Sequence, residues 1–260
     1  MSTHALTGQT LRETRYWLLR YRRTWRGSIV ISVVNPLLFL LAIGVGLGQL
    51  VADPQALPGG TYLRFVVPGL LIAAAMQTTY VESAGPVFQS IRGRHNYQAA
   101  AATPMWPETI FYGHLVFIIL RVTVTSLLFA AVAAAMGALD PLRGLLVVGC
   151  AVLVGCAFAP CVAALAVRVR RLSTMVAILR FIVMPMYMLS GTFFPLGTVT
   201  PVLRWIAQAT PLWHGVELAR DTAVGTATPT GVAVHAGYLT AMTFAGLYFA
   251  RRNFRRNLYV

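Results

Sequence analysis

Residues 110–137 read IFYGHLVFIILRVTVTSLLFAAVAAAMG, and Arg121 is the one Asp, Glu, Lys or Arg in the stretch. An α-helix needs about 20 predominantly apolar residues to cross a bilayer. A helix also satisfies its own backbone hydrogen bonds, which hydrocarbon cannot do. The stretch therefore predicts a membrane-spanning helix.

Similar stretches elsewhere indicate how often the chain crosses the membrane. The 260 residues are 57% hydrophobic and 11% charged, as expected of an integral membrane protein. We expect an all-α transmembrane domain over residues 28–250, after a cytoplasmic leader (1–27) and before a basic tail (251–260). Its six spans are placed near residues 28–50, 65–88, 110–137, 142–167, 175–195 and 231–250.

The arginines indicate how the spans are oriented. Sixteen of the 21 lie in four short segments, 12–26, 92–94, 168–180 and 251–256, and there is no lysine. Because cytoplasmic loops retain basic residues, we expect a multi-pass protein of the bacterial inner membrane with both termini in the cytoplasm. The charges are dispersed between apolar spans, which argues against nucleic acid and favours membrane lipids as partners.

The missing lysine also excludes several chemistries. A P-loop ends in Gly-Lys-Ser/Thr and a Schiff base needs a lysine amine, so any ATP must be bound by another chain. The five histidines are isolated in sequence, and the three cysteines fall in one apolar stretch. We expect neither a metal nor a cofactor in this chain.

Residues 11–26 form an amphipathic pattern at 100° per residue. Five arginines share one side, and the other carries Leu11, Trp17, Leu18, Tyr21 and Trp25. We expect an interfacial helix on the cytoplasmic leaflet, with Trp17, Tyr21 and Trp25 at headgroup depth. The alternative is a solvated basic leader.

Two connections contain short helices. In the loop 89–109, Gly93 can end the second span and Pro104 can end a helix over residues 95–102, which would lie in the cytoplasm. In the external segment 192–230, proline follows Thr200 and Thr210, which predicts two helix starts. Both of these helices are too short to cross, and we expect them at the outer leaflet.

Glu82 and Arg121 are the two ionisable residues placed well inside the predicted spans. A charge inside the bilayer is costly, so each should face the bundle interior or a partner. The two lie at similar depth, which predicts either an internal ion pair or part of a polar translocation path.

Two segments carry a family resemblance. Arg92–Met105 resembles the Arg-x-Arg/Gln-x-Thr-Trp/Tyr-Glu-Ala-x-x-x-Thr-Pro stretch of ABC type-2 export permeases, with Gln98 where the family commonly has glutamate. Ser190–Arg220 resembles their Ser-Gly-x-Phe-Phe-Pro segment followed by Pro-Leu-x-His-x-Val-x-x-x-Arg. The pattern is similar to the permeases of nodulation-factor exporters and daunorubicin-type drug exporters.

The resemblance implies that two permease copies, or two related permeases, assemble with two ABC ATPase subunits that bind ATP and Mg. It implies export of a hydrophobic or amphipathic substrate such as a drug, polyketide, glycolipid or lipid-linked oligosaccharide. The coupling helix would involve Arg92, Arg94, Tyr97, Gln98, Thr103 and Pro104. The external gate would involve Phe193, Phe194, Trp213 and His214.

Two other functions are weighed against a permease. A secondary transporter or channel would need no ATPase, but ion coupling generally uses chains of embedded ionisable residues, and here these are few. An intramembrane hydrolase could use Ser190 with His235, but Met188 stands where a Gly-x-Ser-Gly motif needs glycine. We therefore expect a transport subunit that is not itself an enzyme.

Overall fold

The computed structural model describes residues 3–29, 35–42 and 60–258, and within these ranges the secondary structure is helical with no strand. The first four helices are α1 (Thr3–Ile29), α2 (Asn35–Ala42), α3 (Tyr62–Arg92) and α4 (Asn96–Ala101). They are followed by α5 (Pro107–Ala135), α6 (Pro141–Arg168), α7 (Leu172–Ile178) and α8 (Met184–Leu189). The last three are α9 (Pro201–Gln208), α10 (Pro211–Val224) and α11 (Pro229–Leu258).

Five helices in the described part of the chain are long and apolar enough to cross a membrane. They are α3, α5, α6, the continuous helix Leu172–Leu189 formed by α7 and α8, and α11. The first predicted span, residues 28–50, lies largely outside the described residues, and α2 covers its middle. The all-α prediction is confirmed over the described ranges, whereas the six-span count stays a prediction.

Two boundaries differ from those expected. Helix α11 continues to Leu258, so the basic residues 251–256 are helical and continuous with the last candidate span. The helix that corresponds to the fifth predicted span, 175–195, is Leu172–Leu189, and the arginines of 168–180 are therefore divided. Arg168, Arg170 and Arg171 lie at or before the helix start, while Arg180 lies inside the helix.

Helix α6 is the centre of the bundle and packs against α3, α5, α10 and α11. Its buried face is built largely of small side chains, which let neighbouring helices approach closely. Glycines on the partners help: a Cβ at Gly215 would stand 2.5 Å from the Cγ2 atom of Val154. Helix α3 is the most enclosed of the candidate spans.

The two ends of the bundle differ in composition. The arginine-rich end contains α4, the start of α5 and the end of α11. The opposite end, where Tyr62 of α3 donates a hydrogen bond to the carbonyl of Phe193 at 3.1 Å, carries α9 and α10. Because α3 joins the two ends with 31 residues at 1.5 Å each, they are about 45 Å apart.

Candidate functional site

Helix α4 follows a sharp break in the chain after α3. The Gly93 and Arg94 amides both donate to the carbonyl of Gln89, at 3.0 and 2.6 Å. His95 then adopts a left-handed φ of 54°, which is uncommon outside glycine, and α4 begins. The side chain of Gln98 turns back and donates to the carbonyl of Ile91 at 2.7 Å. Hydrogen bonds within the segment thus stabilise the break, and the side chain of Gln98 makes one of them.

Tyr97 is the one fully buried side chain of α4. Its hydroxyl lies 2.5 Å from Nδ1 of His114 on α5, and its ring packs against Phe254 of α11 with centroids 5.7 Å apart. Burial raises the pKa of Tyr97 well above its usual value, so the hydroxyl keeps its proton and forms a hydrogen bond with the imidazole. A helix of six residues is therefore tied to two long helices through one side chain.

The same histidine joins α4 to the leader helix α1. The Trp17 indole stacks on the His114 imidazole, with centroids 3.8 Å apart and planes 5° apart. Trp17 is only 2% exposed, so protein covers this side chain, whereas Leu11, Leu18 and Trp25 of the same predicted face are exposed. Its Nε1–H donates to the carboxyl of Glu13 at 2.8 Å, while burial raises the pKa of Glu13 to about 7.

Helix α1 docks closely on α5 because α5 has a glycine at the contact. A Cβ at Gly113 would stand 2.5 Å from the Cβ atom of Glu13. The hydroxyl of Thr14 donates to the carbonyl of Gly113 at 3.0 Å. Further along α1, the Gln9 amide donates to the carbonyl of Pro104 at 2.8 Å. The leader therefore holds both α5 and the loop that follows α4.

The predicted coupling residues divide into an inner and an outer set. Tyr97 and Gln98 make the internal contacts described above, whereas the side chains of Arg94, Thr103 and Pro104 are exposed. Arg92 is also exposed, but its Nε–H donates to the carbonyl of Val169 at 3.0 Å. The junction consequently presents a small solvent-facing surface, which we call the α4 surface, formed by Arg94, His95, Ala99, Thr103, Pro104 and Trp106.

Glu82 of α3 and Arg121 of α5 form an ion pair. Their Oε1 and NH1 atoms are 3.2 Å apart, and both side chains are largely buried. The Arg121 guanidinium also lies over the ring of Tyr21 on α1, 4.1 Å from its centroid. The pair therefore connects α1, α3 and α5. Tyr21 is half-buried here, and Trp25 near the end of α1 is exposed.

At the opposite end, Arg220 of α10 fixes the turn after α8. Its guanidinium donates to the carbonyl of Gly191 at 2.7 Å and to the carboxylate of Glu217 at 2.9 Å. The same group lies 4.1 Å from the centroid of the Phe65 ring. Burial raises the pKa of Glu217 and lowers that of Arg220, and their mutual attraction opposes both shifts. Arg220 of the predicted motif is thus structural.

The residues of the predicted external gate lie in two places. Phe193 and Phe194 are half-buried in the turn after α8, where Phe193 packs edge-on against Tyr187. Trp213 and His214 lie on α10 beside α11, and Nδ1 of His214 is 2.8 Å from Nδ1 of His235. The ring of His214 also stacks on Tyr238, with centroids 4.0 Å apart. Burial, assisted by His235, lowers the pKa of His214 to about 4.

Sequence reasoning missed the histidine pair because its members are 21 positions apart on different helices. It treated His235 instead as a candidate partner for Ser190. The Ser190 hydroxyl donates to the carbonyl of Tyr187 at 2.8 Å and lies 2.7 Å from the hydroxyl of Thr192. His235 is hydrogen-bonded to His214, so Ser190 and His235 each have other partners.

The chain has five long apolar helices with α6 at the packed centre, and polar junctions lie at both ends of the bundle. These features indicate a multi-pass membrane protein. The chain belongs to the ABC-2 type transporter family, which matches residues 9–224. The family resemblance predicted from Arg92–Met105 and Ser190–Arg220 is therefore confirmed. Members of this family are transport permeases and not enzymes, and they generally work with an ABC ATPase partner.

Similar proteins include several called nodulation protein J. The protein from Neorhizobium galegae is 23% identical over 97% of both chains. The one from Rhizobium leguminosarum bv. viciae is 25% identical over 86% of this chain and 87% of its own. An inner membrane transport permease of Escherichia coli, YadH, is 25% identical over 42% of this chain and 44% of its own.

Proposed function

We propose that this chain is the permease subunit of an ATP-driven exporter in the bacterial inner membrane. It moves a hydrophobic or amphipathic substrate outward and performs no covalent chemistry. The arginine-rich end faces the cytoplasm, as the distribution of arginines favours. The observation that carries the proposal is the α4 junction, where a short helix has an exposed face and is anchored to α1, α5 and α11.

The exposed face is the docking site for an ABC ATPase, two copies of which bind ATP and Mg. Arg94, Thr103 and Pro104 make the contact, because their side chains point away from the bundle. Tyr97 does not touch the ATPase in this proposal, since it is fully buried. Instead, it transmits a displacement of α4 to His114 on α5 and to Phe254 on α11.

A second permease copy completes the translocation route. The helix Leu172–Leu189 is barely covered within one copy, and it exposes large apolar side chains, of which Phe181 is 78% exposed. We assign this helix to the boundary between two copies, where the substrate passes. Phe193, Phe194, Trp213 and His214 close the route at the periplasmic end.

The test is co-expression with a candidate ABC ATPase from the same genome, followed by purification in detergent. We expect a stable complex whose ATP hydrolysis depends on the permease. Arg94→Glu reverses a charge on the α4 surface and should weaken the association at least tenfold. Arg64→Glu is the matched control, because Arg64 is an exposed arginine at the start of α3, at the opposite end.

Equal loss of binding in both variants, or no loss in either, would contradict docking at the α4 surface. Transport that persists in vesicles without any ATPase would favour the secondary-transporter alternative instead. That alternative has little support among the described spans, where Glu82, Arg121 and Arg180 are the charged side chains away from the helix ends.

A further inference from the structure

Arg180 is exposed in the middle of a helix that carries no other charged side chain. It is the ninth residue of Leu172–Leu189, about 12 Å along a helix of about 27 Å. Its neighbours Phe181 and Ile182 are large, apolar and also exposed. A charge at such depth is unfavourable against hydrocarbon, so Arg180 must meet water or a counter-charge there.

The backbone around Arg180 is also unusual. Leu179–Val183 is a π-helical turn, which ends with the Met184 amide bonded to the carbonyl of Leu179. Pro185 follows, and a proline ring inside an α-helix clashes with the carbonyl four residues before it, so the wider turn relieves that contact. Single π-helical turns occur frequently at functional sites.

The carboxylates of this chain cannot supply the counter-charge from a second copy. Glu82 is paired with Arg121 at 3.2 Å, and Glu108 lies at the start of α5 within 3.2 Å of Arg255. The remaining carboxylates of the described residues lie outside the five spans, in α1, at the start of α6 and in α10, namely Glu13, Asp140, Glu217 and Asp221. The seventh, Asp53, lies outside the described residues and belongs to a predicted outer loop.

We infer that Arg180 recognises the anionic group of an amphipathic substrate on the translocation route. The substrate class is a phosphate, sulfate or carboxylate head attached to an apolar tail. A guanidinium binds such oxyanions through two parallel hydrogen bonds, and Phe181 and Ile182 offer apolar contact to the tail. Resident lipid heads lie at the membrane surface, whereas Arg180 lies about 12 Å along the helix.

This inference rests on the proposed export function, because it places the face of Leu172–Leu189 on the substrate route. Its test nevertheless omits the ATPase. The permease in phosphatidylcholine nanodiscs is titrated with a short-chain, NBD-labelled phosphatidic acid and, separately, with the matching neutral diacylglycerol. Failure of an ATPase to associate would overturn the export proposal and leave this binding result unaffected.

Arg180→Gln should weaken binding of the phosphatidic acid at least tenfold and leave binding of the diacylglycerol unchanged. Arg180→Lys keeps the charge but cannot form two parallel hydrogen bonds, so it should recover only part of the binding that Arg180→Gln loses. Arg171→Gln is the matched control, since it removes an exposed arginine before the helix start, and it should bind both probes as the native protein does.

Two results would overturn the inference. One is an Arg180→Gln variant that binds the anionic probe normally or loses both probes equally. The other concerns resident lipid: if phosphatidylglycerol in the nanodisc abolishes probe binding to the native protein, Arg180 is a lipid anchor. Binding that persists in phosphatidylglycerol, with Arg180 still required, supports substrate recognition.

Discussion

Replacing Tyr97 with phenylalanine tests how α4 is connected to the bundle. The change removes one hydroxyl, whose bond to Nδ1 of His114 is 2.5 Å long and fully buried. Loss of a buried partner costs about 1–3 kcal/mol, because the imidazole nitrogen is left unsatisfied. Tyr97→Ala also removes the ring beside Phe254 and should cost about 3–5 kcal/mol.

If the cost of Tyr97→Phe appears fully as lost coupling between ATPase and permease, it lowers the coupling equilibrium constant by a factor of about 5–150. We expect Tyr97→Phe to bind the ATPase normally while permease-dependent ATP hydrolysis falls at least about fivefold. Thermal unfolding in detergent and hydrolysis in proteoliposomes measure the two effects. Tyr248→Phe is the matched control, because its hydroxyl lies on an exposed part of α11.

A Tyr97→Phe variant that matches Tyr248→Phe in both measurements would refute the proposal that Tyr97 transmits the displacement of α4. Weaker ATPase binding by Tyr97→Phe, with activation per bound complex unchanged, would also count against it. That result would place Tyr97 in the docking surface and not behind it.

Three further predictions concern the leader helix and the internal ion pair. Burial raises the pKa of Glu13 from 4.5 to about 7, so its contribution to stability, up to about 3 kcal/mol, is present below pH 4.5 and lost as pH rises through 7. Glu13→Gln should flatten this pH dependence of the free energy of unfolding. Glu82→Gln alone should lower the free energy of unfolding by about 3 kcal/mol, and Glu82→Gln combined with Arg121→Met should lower it by clearly less. Equal losses in the single and the double variant would exclude a buried ion pair. Gly113→Leu should displace α1 from α5 and expose Trp17 to an aqueous fluorescence quencher, whereas a leucine at Gly149, which has open space around it, should not.

Elements whose signals are local could be predicted from the sequence. Apolar length identifies the spans, and threonine followed by proline identifies the starts of α9 and α10 at Pro201 and Pro211. The Thr210 hydroxyl accepts a bond from the Trp213 amide, as a cap does, whereas Thr200 stands at the cap position without such a bond. Propensity predicts where a helix begins better than it predicts which side chain satisfies its first amide.

What covers a helix could not be predicted. The pattern of α1 shows that Trp17 lies on an apolar face, but the same pattern suits lipid and protein, and the structure places His114 there. The sequence predicts that Arg180 belongs with the arginines of the preceding turn, because charge is expected at span ends, but the helix begins eight residues before it. The pair of His214 and His235 depends on the packing of α10 on α11, which no local signal encodes.

Site-directed cross-linking shows whether the ATPase docks on the α4 surface. Cysteines introduced by Arg94→Cys and Thr103→Cys are placed on the α4 surface, and one introduced by Thr200→Cys on the opposite end, in a chain whose three native cysteines are first changed to serine. We expect cross-links from positions 94 and 103 that change in yield when ATP binds, and none from position 200. Absence of cross-links at both α4 positions, in a complex that hydrolyses ATP normally, would contradict it.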